Sequence, residues 1–425
     1  MILELSIKNF LSFKEEVVFN FEATNDKYLE ETHIVEVAPN TRILKLGIIY
    51  GANASGKSNL INAFEYLHDF WFNTTENKDE ETGVIPFLLD DFSKNEPTEF
   101  GITFFINSKK YIYNLKLNKN IVFEEKLSYY PTIKPLEILS RHLNQNISEI
   151  RFNRRIKITS AIKDEIAAKC LVNMSVFAAY NKVNVSIPEI DAVISWMKVQ
   201  FLQSLTPNIA IQNYTEGLLL KDPSIKDYIV NFLSKADFNI SNIITKIEDK
   251  KLSDELISYV LTGDIPTEEK ERLRKDKTIQ ITKSFYTHRI QNKNGEFTEY
   301  ELPGDLQSEG TIRTLGIAGV LKRAIEKDAF VAIDEIESSL HPRLVEFVIE
   351  YFLRNSQQAQ LLITTHYDGL LEEEDLLRND NIWFTSKKDS GSTEIYSLAD
   401  FKGINRISSL QKAYKYGKFG AVPNI

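Results

Sequence analysis

The chain has 425 residues, enough for two or three domains with a large core. Its 43% hydrophobic and 26% charged residues are an ordinary globular balance, and its single cysteine, Cys170, excludes an internal disulfide framework and any Cys-x-x-Cys zinc site. A net charge of −9 argues against wholesale coating of nucleic acid but leaves a local basic groove open.

The first segment alternates in strand fashion at Ile2–Ile7 and Val17–Phe21, with Asn9–Phe13 between. It has no basic stretch and cleavage site of an export signal, and no apolar run reaches the roughly 18 residues needed to span a bilayer. A cytoplasmic protein without a membrane partner is expected. The apolar run Ile43–Tyr50 then leads into Gly51-Ala52-Asn53-Ala54-Ser55-Gly56-Lys57-Ser58, and a helical pattern follows over Asn59–Phe72. The G-x-x-x-x-G-K-[ST] spacing fits a phosphate-binding loop for a chemical reason. Gly51 and Gly56 permit the tight turn that points backbone N–H groups at a polyphosphate. Lys57 supplies a charge for the β/γ-phosphates, and Ser58 a hydroxyl for Mg²⁺. The helix beginning near Asn59 turns its positive end toward the same anion. The octapeptide predicts binding of ATP or GTP, and ATP is favoured because no Asn-Lys-x-Asp element follows.

Next come a turn-rich connection at Gly83–Asn95 and an expected meander of strands at Phe100–Ile106, Tyr111–Leu117 and Ile121–Tyr130. Around Pro131–Pro135 the pattern changes. To about Lys283 it reads as mainly helical, with helices at Ser160–Tyr180, Pro188–Ser204, Ser224–Lys235 and Ser253–Leu261. Strands resume at Ile279–Gln291 and Phe297–Leu302, joined by a turn at Lys293-Asn294-Gly295. This order predicts an ATPase head in two parts, residues 1–130 and 285–425, split by an inserted helical subdomain at 131–284.

The second part carries more chemistry. Leu306–Arg313 opens an apolar-faced helix to about Glu326, and Ser308 and Gly310 at its start can serve a phosphate or simply cap the helix. Ala329–Ile333 reads as a buried strand ending in Asp334-Glu335. The first acid can hold Mg²⁺ and the second can polarise an attacking water as general base. Ser338-Ser339-Leu340-His341-Pro342 follows, then the strand Leu361–Thr365 ending at His366.

Phosphate loop, Ser-x-Gly helix start, apolar-Asp-Glu, Ser-Leu-His-Pro and Thr-Thr-His, in that order, resemble the ABC-type ATPases of the SMC, RecF and OLD group. The resemblance covers about residues 1–130 and 285–425. It implies an α/β fold: an ABC/SMC-type P-loop ATPase head with an N-terminal β-meander and an inserted, mainly helical subdomain. It also implies ATP hydrolysis with Mg²⁺. By the same resemblance, Gly51–Ser58 and Asn59 bind the nucleotide, and Ser58 and Asp334 stand on the metal side. Glu335 and His366 then form the catalytic pair, and Ser338–Pro342 is similar to the D-loop. Ser308, Glu309 and Gly310 look like the signature that reaches the γ-phosphate of an opposite subunit, which implies a homodimer or higher oligomer through the heads. Lys8–Lys14 is similar to the N-terminus that lies beside adenine and ribose in that group.

Within the group, Phe10–Lys14, the phosphate loop and the tail Tyr416–Pro423 resemble the stand-alone RloA/AbiL-type ATPases of bacterial defence loci. This implies a sensor or regulatory ATPase acting with a separate nuclease or toxin effector. Three departures stand out. Glu309 replaces the glycine of transporters, no Q-loop glutamine is assigned, and the residues after His366 lack the acids of a TOPRIM nuclease. A RecF-like DNA-repair ATPase is the main rival reading, and a scaffold that binds ATP with little turnover is the other. The basic residues Arg151, Arg154, Arg155 and Lys157, and Lys270, Arg272, Arg274, Lys275 and Lys277, are the candidates for nucleic-acid contact or for a solvated face.

Overall fold

The computed structural model describes residues 1–132, 134–145, 147–207, 209–222, 224–236, 238–261 and 267–422. In chain order its strands are β1 (Ile2–Lys8), β2 (Val17–Asn20), β3 (Ile34–Ala38), β4 (Thr41–Leu44), β5 (Leu46–Gly51), β6 (Thr98–Ile106), β7 (Lys109–Leu117), β8 (Val122–Tyr130), β9 (Leu136–Asn144), β10 (Ile147–Phe152), β11 (Ile240–Lys251), β12 (Thr278–Gln291), β13 (Phe297–Pro303), β14 (Phe330–Ile333), β15 (Gln360–Thr364), β16 (Ile382–Lys387) and β17 (Thr393–Ser397). Its helices are α1 (Glu30–His33), α2 (Lys57–Phe72), α3 (Ser160–Lys169), α4 (Val176–Tyr180), α5 (Pro188–Val199), α6 (Ile211–Lys221), α7 (Ile225–Lys235), α8 (Asp254–Val260), α9 (Thr267–Asp276), α10 (Glu309–Lys327), α11 (Pro342–Asn355) and α12 (Leu410–Lys415). Among the described residues no helix is long and apolar enough to cross a membrane.

The chain clusters into two compact units: 1–207 with 324–338 and 345–425, and 208–323 with 339–344. Residues 131–207, read from the sequence as the start of an insertion, belong to the first unit. In it, β14, β15, β5 and β16 run parallel in that order, with β17 antiparallel at the edge. All six residues of β5 are buried, as a strand covered on both faces requires. An extended segment flanks β14 on its other side, where Leu202 N–H donates to Phe330 O and Leu205 N–H to Ala332 O. The helix α11 buries Val345, Val348, Ile349 and Phe352, the i, i+3, i+4, i+7 stripe of a helix lying on a core.

The second sheet of this unit is antiparallel, in the order β10-β9-β8-β7-β6-β1-β2. The strands β9 and β10 were not expected; β9 pairs antiparallel with β8, and β10 with β9 from Asn144 opposite Ile147. Pro131 and Pro135 mark the connection into β9, and they had suggested a change to helix. The sheet is tied to the 171–176 turn by a fully buried pair, Glu125 and Arg141, at 3.6 Å. Arg141 donates to Met174 O (2.5 Å), Leu171 O (2.8 Å) and Ser148 Oγ, while Glu125 accepts from Tyr113 Oη and Val176 N. Burial pushes the Glu125 carboxyl up from its ordinary value, against the opposing pull of Arg141. Removing one partner of such a pair leaves a buried charge uncompensated. Arg141→Met should therefore cost about 3–5 kcal/mol in urea unfolding. The double change with Glu125→Gln should recover part of the loss, and a single variant as stable as the parent would refute the role.

The second unit contains the antiparallel sheet β11-β12-β13 and the start of α10. Gly316 and Gly319 let α6 lie close against α10, because a Cβ at either would collide with Ile211 or Thr215. The stretch 131–284 thus holds helices α3–α9 and, besides them, the strands β9, β10 and β11 and part of β12.

Candidate functional site

The loop Gly51–Ser58 leaves the C-terminal end of β5 and enters α2, whose N-cap is Gly56. Gly56 has φ 110° and Ala54 φ 59°, so the chain passes twice through the left-handed region. Asn53 and Ala54 form the exposed apex, while Ser55, Gly56 and Lys57 are buried. Neither glycine tolerates a side chain. A Cβ on Gly51 would meet Thr385 Oγ1 at 2.3 Å and Ser55 Oγ at 2.5 Å, and one on Gly56 would meet Thr393 Oγ1 at 2.3 Å. The Lys57 ammonium donates to Gly51 O (2.9 Å) and Ala52 O (3.1 Å), curling back over its own loop. Burial lowers its pKa, and Asp334, Glu335 and Glu337 oppose the shift.

Residues distant in sequence support this loop. Ser55 Oγ lies 2.6 Å from Thr385 Oγ1 on β16, and Thr393 Oγ1 at the start of β17 donates to Ser55 O at 2.8 Å. The N-terminal turn joins them. Phe10 and Phe13 exchange backbone hydrogen bonds of 2.8 Å, with Asn9 and Leu11 at positive φ, and Ser12 O accepts from Thr393 N. Asn59 Nδ2 donates to Ser12 Oγ at 2.7 Å. Asn59, expected at the nucleotide, anchors α2 to the Lys8–Lys14 segment.

The acids follow β14. Asp334 is buried, and its Oδ1 accepts from Thr364 Oγ1 at 2.5 Å. The same Thr364 oxygen accepts the Glu335 N–H at 2.8 Å. Glu335 sits at φ 46°, a costly conformation for a residue with a Cβ. His366, just past β15, is exposed, and its N–H donates to Glu337 Oε1 at 2.5 Å. Desolvation first and the Lys57 charge second lower its pKa below the usual 6.5, against the pull of Glu337, Glu335 and Asp334. Lys57, Asp334, Glu335 and His366 thus share one electrostatic neighbourhood in the first unit.

Ser308, Glu309 and Gly310 belong to the second unit. Ser308 caps α10 by accepting the Thr311 N–H at 3.1 Å, and Ser308 and Glu309 are exposed. Ser339, at φ 59°, donates to Glu309 Oε2 at 3.4 Å, and its carbonyl would lie 2.8 Å from a Cβ on Gly310. Signature-like and D-loop-like residues therefore meet within this unit.

Sequence reasoning missed Thr364, Thr385, Thr393 and Glu337. Thr-Thr before His366 was the one legible signal among them. The tail also has more to do than its sequence suggested. Tyr414 packs 5.6 Å from Tyr50 and Phe419 stacks 5.1 Å from Phe384, behind the strands that carry the phosphate loop. Gly417 and Gly420 make the bends at positive φ, and Pro423 of this tail lies outside the described residues. Of the basic residues, Arg151 pairs with Glu149, Arg272 with Asp249 and Lys277 with Asp254.

No curated protein matches this sequence. Three solved structures are similar across nearly the whole chain. One is an SMC head domain from Thermotoga maritima, at 15% identity, covering 93% of this chain and 98% of that one with a TM-score of 0.38. Another is an SMC head bound to the C-winged helix domain of ScpA, at 16% identity, 97% and 99% coverage and a TM-score of 0.42. The third is an SMC head with an extended coiled coil, bound to the C-terminal domain of ScpA from Pyrococcus furiosus, at 14% identity, 98% coverage of each chain and a TM-score of 0.37. A family model described as "AAA domain, putative AbiEii toxin, Type IV TA system" matches residues 47–167 and 217–372, well over half of the chain. The α/β class, the P-loop and the N-terminal meander agree with the head architecture expected from the sequence. With the loop on β5, the acids on β14 and a family match across both, the chain belongs to this family of AAA-type ATPase domains.

Proposed function

We propose that this protein is a Mg²⁺-dependent ATP hydrolase whose heads dimerise around ATP, and that it is the sensor or regulatory ATPase of a bacterial antiphage system of the RloA/AbiL type, acting with a separate effector. The observation that carries the hydrolase reading is the convergence of Lys57, Asp334, Glu335 and His366 at the C-terminal ends of three parallel strands. The antiphage reading is supported by the family description and by the N-terminal and tail motifs.

Ser58 and Asp334 offer a hydroxyl and a carboxylate, an all-oxygen set that suits Mg²⁺. When bound, that ion supplies charge neutralisation at the β- and γ-phosphate oxygens. The chain does the rest. Backbone N–H groups of residues 52–58 hold the phosphates, and Lys57 exchanges its carbonyl partners for phosphate oxygens. Glu335 takes the proton of the attacking water, and the γ-phosphoryl group passes to that water as ADP leaves. The His366 imidazole can donate one hydrogen bond to the γ-phosphate. Purified protein releasing phosphate from ATP only with Mg²⁺ present is the expected result, and no release at any protein concentration would refute the hydrolase reading.

The dimer has its own test. If Ser308 and Gly310 complete a neighbour's site, Ser308→Arg should bind labelled ATP within about threefold of the parent affinity yet lose nearly all turnover. Mixing it with Lys57→Ala should restore activity, because one composite site then has an intact loop and an intact signature. Subunit exchange is checked by direct measurement of mixed dimers. A crosslink from position 308 to γ-phosphate found only within the nucleotide-binding chain would reject the head-to-tail arrangement.

A further inference from the structure

We infer that Glu337 is a positioning residue of the hydrolytic site, a carboxylate that latches the His366 segment to the acidic turn after β14. The inference rests on the ATP-hydrolase reading. Asp334 Oδ1 accepts from Thr364 Oγ1 and the Ile336 N–H donates to Thr364 O, and two further bonds from that turn to the end of β15 bear directly on the catalytic residues. Thr364 Oγ1 accepts the Glu335 N–H at 2.8 Å, and two residues further on the His366 N–H donates to Glu337 Oε1 at 2.5 Å. The first fixes the backbone of the general base. The second fixes the backbone of the histidine, whose exposed ring otherwise has little to hold it.

A backbone latch alone does not call for a carboxylate, since the amide oxygen of a glutamine accepts the same bond. Glu337 has a second feature that a latch does not explain. Its Oε2 is buried and makes no hydrogen bond among the described residues, an unfavourable state for an acceptor. Its charge is felt at the Lys57 ammonium and at the His366 ring, raising the proton affinity of both. The Thr365 N–H is bonded to Ile49 O at 3.1 Å on the strand leading to the phosphate loop. Movement of the His366 segment is thereby restrained from both sides, by β5 and by Glu337. The carboxylate sets where His366 stands and balances the positive charge that faces the phosphates, without itself touching the reacting atoms.

The test separates the bond from the charge. Glu337→Ala loses both, Glu337→Gln keeps the acceptor, and Glu337→Asp keeps the charge but is one methylene too short to reach. All are made in the full chain, with the unfolding midpoint as a check on folding. The first readout is amide hydrogen exchange at His366 without nucleotide, which is independent of catalysis. Exchange there should be at least about tenfold faster in the alanine and aspartate variants and near the parent rate in the glutamine variant. The second readout is labelled-ATP affinity set against kcat. The alanine and aspartate variants should keep affinity within about threefold while kcat falls at least about thirtyfold, and glutamine should recover part of kcat. Parent-like exchange at His366 in Glu337→Ala, or a kcat loss matched by an equal loss of affinity, would overturn the inference. So would a glutamine variant no better than alanine. If the parent itself turns over no ATP, the hydrolase reading fails, while the exchange experiment still decides whether Glu337 holds the segment.

Discussion

Lys57→Ala should abolish nucleotide binding, lowering affinity for labelled ATP by at least about a hundredfold, or roughly 2.7 kcal/mol. The ammonium is buried and bonded to Gly51 O and Ala52 O. Both acceptors are weak partners for a buried charge, and desolvation already lowers the Lys57 pKa. A polyphosphate offers charged oxygens instead, so that donor and acceptor are both ionised and the bonds become salt bridges. Truncation to alanine removes that gain and leaves the loop carbonyls without a donor. Equilibrium binding at parent affinity would sink the phosphate-loop assignment.

The second large effect is expected at Glu335. Glu335→Gln should retain ATP but slow hydrolysis by about 10²–10⁴-fold, since an amide cannot accept the proton of the attacking water. The substitution keeps side-chain length and the backbone bond to Thr364 Oγ1, so the φ of 46° is imposed on either residue alike. Asp334, one residue earlier, keeps its own bond to Thr364. Single-turnover kinetics with stoichiometric ATP separates a slow chemical step from slow release. Normal turnover would place the base elsewhere, and His366 is the first alternative to replace.

What the sequence made legible was local. Gly51–Ser58 could be read because one strand, one turn and one helix lie consecutively in the chain. Asp334-Glu335, an ordinary strand end if taken alone, could be read because the phosphate loop earlier in the chain calls for a pair of acids after an apolar strand. Thr385 and Thr393, which close on the loop, could not be read in this way. Nothing in Ile382–Ser397 except the identity of its neighbours in the sheet distinguishes these two threonines from other strand residues. Glu337 was hidden for a related reason, because its partner is a backbone N–H 29 residues away. The strands β9 and β10 were missed on local grounds, since two prolines suggested a change of structure where the chain only turned into another hairpin. The aromatic tail was visible as a motif, but its partners, Tyr50 and Phe384, come from two different strands.

The placement of β5 has a consequence for how the first unit is made. In the antiparallel sheet, β6, β7, β8, β9 and β10 pair in chain order, and such hairpins close short loops at small entropic cost. β5 has no such neighbour. Its partners in the parallel sheet are β15 and β16, and the Ser55–Thr385 contact joins residues 330 apart in the chain. Contacts of that separation form late, because the closure entropy must be met before the pairing rewards it. Refolding from denaturant should therefore show early protection of the meander amides and late protection of Ile48–Tyr50. The phosphate loop would be among the last parts of the chain to take shape, and anything that binds it would select molecules whose folding is complete.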